Sequence, residues 1–347
     1  MSIGTSNTNP SMSRRNFVGA VALPALFAPQ AHAAVAQITI GITLDTRPDW
    51  YPMENFVLSM QEAGSVGYHW VETFWPYVTP WEKNPQALKD LLAKLNLKLE
   101  TISNGRRFDI GTEGNFWDPG VRESNIEDHM QIVRFIHGFN CDHFKINCGA
   151  RPAHTPENTP TIYKEMSRGL NELGKRVSDL GMKFGIHAHT GSIFETQQDV
   201  DSLLELTDPR YVHFIVDTGH VTMAGMDPVE LTRTYSSRII EYHLKDTAPQ
   251  YRGGYKGPDG KRGVVPRSGG GRGAGRGASM TAADYAKNRM FFELGNGGVD
   301  FPGILAILNE RGWKGWMTVE LDSTGSNAKE SCTVSKKYIE TVLKLKV

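Results

Sequence analysis

Cysteine is scarce in this chain: 347 residues hold three, Cys141, Cys148 and Cys332. An odd number without a CxxC spacing is a poor disulfide framework. Cys148, at the end of a strand-like run, reads as an ordinary buried thiol, with a Cys141–Cys148 bridge left open. Net charge is also lacking, because 38 Lys and Arg balance 38 Asp and Glu. That balance argues against a nucleic-acid partner, whose phosphates call for a basic surplus. Long apolar runs are missing too, which excludes stable membrane insertion. No GxGxxG follows the first strand-like run, which weighs against an open, doubly wound dinucleotide-binding sheet. What is left is a globular composition, long enough to bury an ample core in one large domain or two small ones.

The N-terminus is set apart. Ser13-Arg14-Arg15-Asn16-Phe17 precedes a short apolar stretch that ends in Ala31-His32-Ala33, a small-x-small cleavage pattern. This order resembles a twin-arginine export signal; a disordered arm with a chance Arg pair is the bland alternative. Residues 1–33 are therefore expected to be removed, residues 34–347 to form the working domain, and the product to be periplasmic or otherwise exported. The export machinery is then one partner. Folding before export would fit a chain without a disulfide framework.

Beyond that segment, β-like runs alternate with helical patterns. The runs are 38–44, 69–74, 98–103, 143–147, 183–189, 212–217, 239–244 and 316–321. The clearest helix covers 163–180, where Tyr163, Met166, Leu170, Leu173, Val177 and Leu180 form one stripe at steps of three and four. Others are expected at 55–63, 86–95, 128–137 and 328–345. Strands separated by helices pair in parallel. Eight such units predict a single (β/α)8 barrel, which takes about 250 residues plus insertions. One stretch breaks the rhythm: 251–279 is rich in Gly and Arg. It is expected to be a long loop after the seventh strand, serving either as a lid for a polar substrate or as a solvated insertion.

Polar residues fall where a barrel would use them. Late strands end on His187 and His189, on Asp217 with His220, on His243 with Lys245 and Asp246, and on Glu320. Residues two apart on a strand share a face, so His187 pairs with His189 and His243 with Lys245. A lone strand-end His is more often a satisfied polar group than a ligand. Four neighbouring strand ends with ligand-type side chains are harder to dismiss. Such a mixed N/O set suits one divalent ion, Mn²⁺ first, with Zn²⁺, Co²⁺ or Fe²⁺ as alternatives. Phe74, Trp75 and Trp81 could stack on a sugar ring or simply pack the rim.

Several motifs then resemble a known family. Val216-Asp217-Thr218-Gly219-His220, His243-Leu244-Lys245-Asp246 and Val319-Glu320 are similar to the DTGH, HxKD and terminal VE signatures of the xylose-isomerase-like sugar isomerase/epimerase superfamily. Ala63-Gly64 with Val71-Glu72, and the stretch Leu294 to Phe301, resemble its AGY…VE and LGxGxVDF patterns. The resemblance implies a TIM barrel in which Asp217, His243 and Glu320 bind a metal and His220 reaches a substrate oxygen. The fifth-strand Glu of the epimerases is here replaced by His187, a departure that looks more like the inosose dehydratase branch. The expected metal set is thus His187, Asp217, His243 and Glu320, with Glu320, His189, His220 and Lys245 as catalytic candidates.

The chemistry expected is proton abstraction next to a carbonyl of a sugar or keto-sugar. It would be followed by reprotonation in an isomerase or epimerase, or by β-elimination in a lyase or dehydratase. The rivals are a non-catalytic exported sugar-binding barrel and an endonuclease IV-like metal phosphodiesterase. The partner class is a small carbohydrate; barrels of this kind commonly pair, so a homo-oligomer is compatible with this picture.

Overall fold

Eight short runs rich in Ile, Val, Phe and Thr are buried on both faces, as parallel strands covered by helices must be. They are β1 (Gln37–Thr43), β2 (Trp70–Phe74), β3 (Lys98–Ser103), β4 (His143–Asn147), β5 (Lys183–His187), β6 (His213–Asp217), β7 (Ile239–Leu244) and β8 (Lys314–Val319). All pair in parallel and close in the order β1-β8-β7-β6-β5-β4-β3-β2, with β1 joined to both β2 and β8. The expected eight-stranded barrel is therefore the observed one. This computed structural model describes residues 35–44, 53–104, 115–256, 289–321 and 327–347. Residues 1–33, read from sequence as an export signal, and residues 257–279 of the Gly- and Arg-rich stretch lie outside the described residues.

Helices cover the barrel: α1 (Met53–Val66), α2 (Pro85–Lys94), α3 (Arg122–His137), α4 (Thr159–Ser178), α5 (Gln197–Leu206), α6 (Thr218–Met223), α7 (Pro228–Tyr235), α8 (Phe301–Glu310) and α9 (Ala328–Tyr338). In α4 the predicted stripe is the buried one, through Tyr163, Met166, Leu170, Leu173 and Val177. Leu180 falls outside it, because the chain turns back at Gly181 with φ 77°. α5 escaped the sequence reading, although Thr196 and Asp199 form a capping box at its start. No described helix is long and apolar enough to cross a membrane. Cys141, Cys148 and Cys332 are buried free thiols, so the Cys141–Cys148 bridge is not formed.

The period of two decides what each strand sends inward. On β4, Phe144 turns outward to the rings of Phe184 and His129. His143 and Lys145 turn into the lumen and meet Glu241 and Glu72. On β8, Thr318 points inward to bond Glu100. Gly41 on β1 leaves the space that Glu100 fills; a Cβ there would run into that carboxylate. The lumen is thus filled with paired charges, and the strand ends above them carry the site.

Candidate active site

Asp217 ends β6 and does two things at once. Its Oδ1 accepts the His220 N–H at 2.9 Å and so caps α6. Its Oδ2 lies 3.5 Å from His187 Nε2, 3.9 Å from His243 Nδ1 and 3.0 Å from Lys245 Nζ. Glu320, one residue past β8, continues the ladder through its N–H to Leu244 O at 3.1 Å. Its side chain bonds His243 Nδ1 and lies 3.3 Å from Lys245 Nζ. One ligand-type atom from each of His187, Asp217, His243 and Glu320 therefore falls within 4.8 Å of the others. These are the four residues proposed as a metal set from sequence, and the fold brings them together.

Their electrostatics follow from burial and company. Burial, then the charges of His243 and Lys145, hold His187 well below the usual imidazole range. It is 2 % exposed, and neither ring nitrogen has a hydrogen-bond partner. Burial opposes charge on His243 too, but Glu320 and Glu72 beside it raise its pKa well above the ordinary value. Burial works against the Glu320 carboxylate, yet His243 and Lys245 hold it well below the usual range. Asp217 is raised, by burial first. A neutral, buried and unbonded imidazole facing two carboxylates and a second imidazole is a donor set suited to a borderline divalent cation.

His243 is also fixed from below. Its Nε2 lies 2.9 Å from Glu72 Oε2 and 3.1 Å from Glu241 Oε1, and it touches the Lys145 ammonium. Lys145 bonds Glu72, and Glu241 continues at 3.1 Å to His143, whose Nδ1 reaches Asp142. A column of alternating charges thus runs beneath the site. Lys145, Glu241 and Glu100 were missed from sequence. The one signal for the first is its place in the inward row of a strand with His143 and Asn147, a run that otherwise reads as plain β-strand.

Other expectations need correction. β5 stops at His187, yet the His189 ring still lies 5.8 Å from that of His187, as their shared face implies. The chain then bends, with Gly191 at φ 80°. His189 also lies against His220, ring centroids 3.7 Å apart and planes tilted by 39°, half-buried at the mouth. His220 Nδ1 lies 2.9 Å from Thr190 Oγ1, and its Nε2 lies 3.0 Å from Lys245 Nζ. Phe291 closes this corner, 5.1 Å from the His220 ring and 5.0 Å from Lys245 Nζ. Asp246 is no ligand candidate: it accepts the N–H groups of Thr247, Gly295, Gly297 and Val299 and so pins the loop before α8. Glu72 is engaged by Lys145 and His243, while Asn104 grips the Asn147 backbone at both N–H and C=O. Trp75 packs on Phe135 and Trp81 on Phe56, so both rings serve packing. Of the Gly- and Arg-rich stretch, Tyr255 is held by its N–H on Met223 O at 2.8 Å.

A closed parallel barrel with acid, base and ligand-type side chains gathered at the C-terminal ends of β5 to β8 is a TIM barrel carrying its site where such barrels carry theirs. Residues 60–338 match the xylose isomerase-like TIM barrel family, and the chain belongs to that family. It is 32% identical over 284 residues to the rhizopine catabolism protein MocC of Rhizobium meliloti, covering 80% of this chain and 77% of that protein. It is 29% identical over 327 residues to the inosose dehydratase of Lacticaseibacillus casei, covering 88% and 96% respectively. The fold is shared with a probable 3-DHS dehydratase involved in petrobactin synthesis in Bacillus anthracis, at TM-score 0.62 and 17% identity over 88% of this chain and 99% of that one.

Proposed function

We propose that this chain is a divalent-metal-dependent dehydratase or related lyase acting on a cyclic keto-polyol or keto-sugar. The observation that carries it is the gathering of His187, Asp217, His243 and Glu320 beside Lys245 and the touching imidazoles of His189 and His220. Inosose dehydratases among the relatives support the reaction class. His187 at the fifth strand supports elimination over epimerisation. An epimerase of the two-carboxylate type needs a Glu on each side of the carbon; here Glu320 is the one glutamate in the four-residue cluster, and Glu72 is engaged with Lys145 below.

The chain's own residues then divide the work. His187, Asp217, His243 and Glu320 would hold the ion, with Mn²⁺ our first choice. When bound, the ion supplies Lewis acidity that favours negative charge on a carbonyl oxygen. Glu320 or His189 takes the proton from the carbon next to the carbonyl. The electron pair left behind forms the enolate, and its collapse expels the β-hydroxyl. Lys245 donates the proton with which that hydroxyl leaves as water. The product is an unsaturated ketone or its tautomer. Export under the segment 1–33 would place this chemistry outside the cytoplasm, where unphosphorylated substrates prevail.

The test is to incubate the protein with an inosose and, in parallel, a 3-keto-glucoside, with and without Mn²⁺ after chelation. Loss of water or of the aglycone, seen by mass spectrometry only when metal is restored, is the expected result. Unchanged substrates with metal present, or equal turnover without it, would contradict the reading.

A further inference from the structure

The adjoining imidazoles of His189 and His220 are held by polar contacts that fix where their protons sit. A lysine ammonium has donors and no acceptor, so Lys245 Nζ, 3.0 Å from His220 Nε2, requires that nitrogen to offer its lone pair. The proton of a neutral His220 then sits on Nδ1, which lies 2.9 Å from Thr190 Oγ1 and donates to it. His189 follows the same rule. Its Nδ1 is 2.7 Å from the Thr190 carbonyl oxygen, which can only accept, so Nδ1 carries the proton there too. Thr190 therefore meets both rings, one through its side chain and one through its backbone.

We propose that Thr190 is a positioning residue that locks His220 in the tautomer protonated on Nδ1, so that Nε2 anchors the Lys245 ammonium against Asp217 and Glu320. Without the hydroxyl, the Nδ1 proton loses its acceptor in a buried corner, and the alternative tautomer becomes accessible. In that form Nε2–H faces the Lys245 N–H groups, donor against donor. The ammonium then loses its contact with His220 at 3.0 Å, beside those with Asp217 at 3.0 Å and Glu320 at 3.3 Å. The role proposed for Lys245 as proton donor would suffer. Nothing in the position of Thr190, just past the end of β5 in a loop, gave this role away in the sequence.

Ring ¹⁵N spectra of histidine-labelled protein test the lock directly, with the His220 signals identified through a His220→Gln variant. In the wild type, Nδ1 of His220 is expected in the protonated range and Nε2 in the unprotonated one. Thr190→Val should move both toward the average of two tautomers, and Thr190→Ser should restore them. A wild type with Nε2 protonated, or a Thr190→Val spectrum identical to wild type, overturns the proposal. The kinetic counterpart rests on the dehydratase reading: Thr190→Val is expected to lower kcat about 10- to 100-fold with KM steady, and Ser to rescue it. The spectra need no substrate. A tautomer lock that holds in a protein that turns over no keto-sugar supports Thr190 and counts against the dehydratase reading alone.

Discussion

At the scale of single residues, His187 carries most weight. Buried, neutral and without a hydrogen-bond partner at either nitrogen, it costs the metal-free fold roughly 1–3 kcal/mol for each unmet polar group. His187→Leu should therefore leave the metal-free protein as stable as wild type or more so. At the same time it should abolish the rise in Tm expected from Mn²⁺, which for wild type at a hundredfold excess over Kd corresponds to about 2.7 kcal/mol. Thermal melts with and without metal check this; an undiminished Mn²⁺ shift in the variant would remove His187 from the set. The site's main residues were legible because each ends a strand, and strand ends of a barrel converge. Lys145 and Thr190 were not. The first hides in a run that reads as plain β-strand, and the second acts through a neighbour that only the folded chain brings within 2.9 Å.

At the scale of elements, strands were easier to place than the turns after them. β3, β4 and β7 have the bounds expected from their alternation and β-branched content, whereas β5 ends two residues early. Past that end the His189 ring lies 5.8 Å from that of His187 and 3.7 Å from that of His220. Asp246 shows the converse: a strand-end carboxylate, ligand-like in sequence, spent on four backbone N–H groups. Burial raises its pKa, and those N–H groups work in the opposite direction. Asp246→Ala should cost about 3 kcal/mol or more, since hydrogen bonds to a charged group are lost and buried donors are stranded. Denaturant unfolding would read it; a loss below about 1 kcal/mol would mean that the loop before α8 finds other acceptors.

At the scale of the whole molecule, the barrel lumen is an ionic column, and pH should act through it. Burial opposes charge on His143, but its bonds to Asp142 and Glu241 carry it up to about 10. The unfolded value is about 6.5, so between these limits the folded state binds the extra proton. Stability from this group is complete below about pH 6.5 and is lost as pH rises through about 10. His143→Gln should flatten that alkaline loss in melts taken across the range, and an unchanged slope would contradict the assignment. The barrel itself was readable from eight alternating units. The column was not, because pairing across a lumen joins residues as distant as Glu72 and His243.

The most direct measurement is proton NMR in D₂O of the metal-loaded protein with an inosose, beside Glu320→Gln and a chelated sample. The account predicts deuterium entering next to the carbonyl as water is lost, in the wild type with metal and in neither control. Elimination without metal, or full activity in Glu320→Gln, would contradict it.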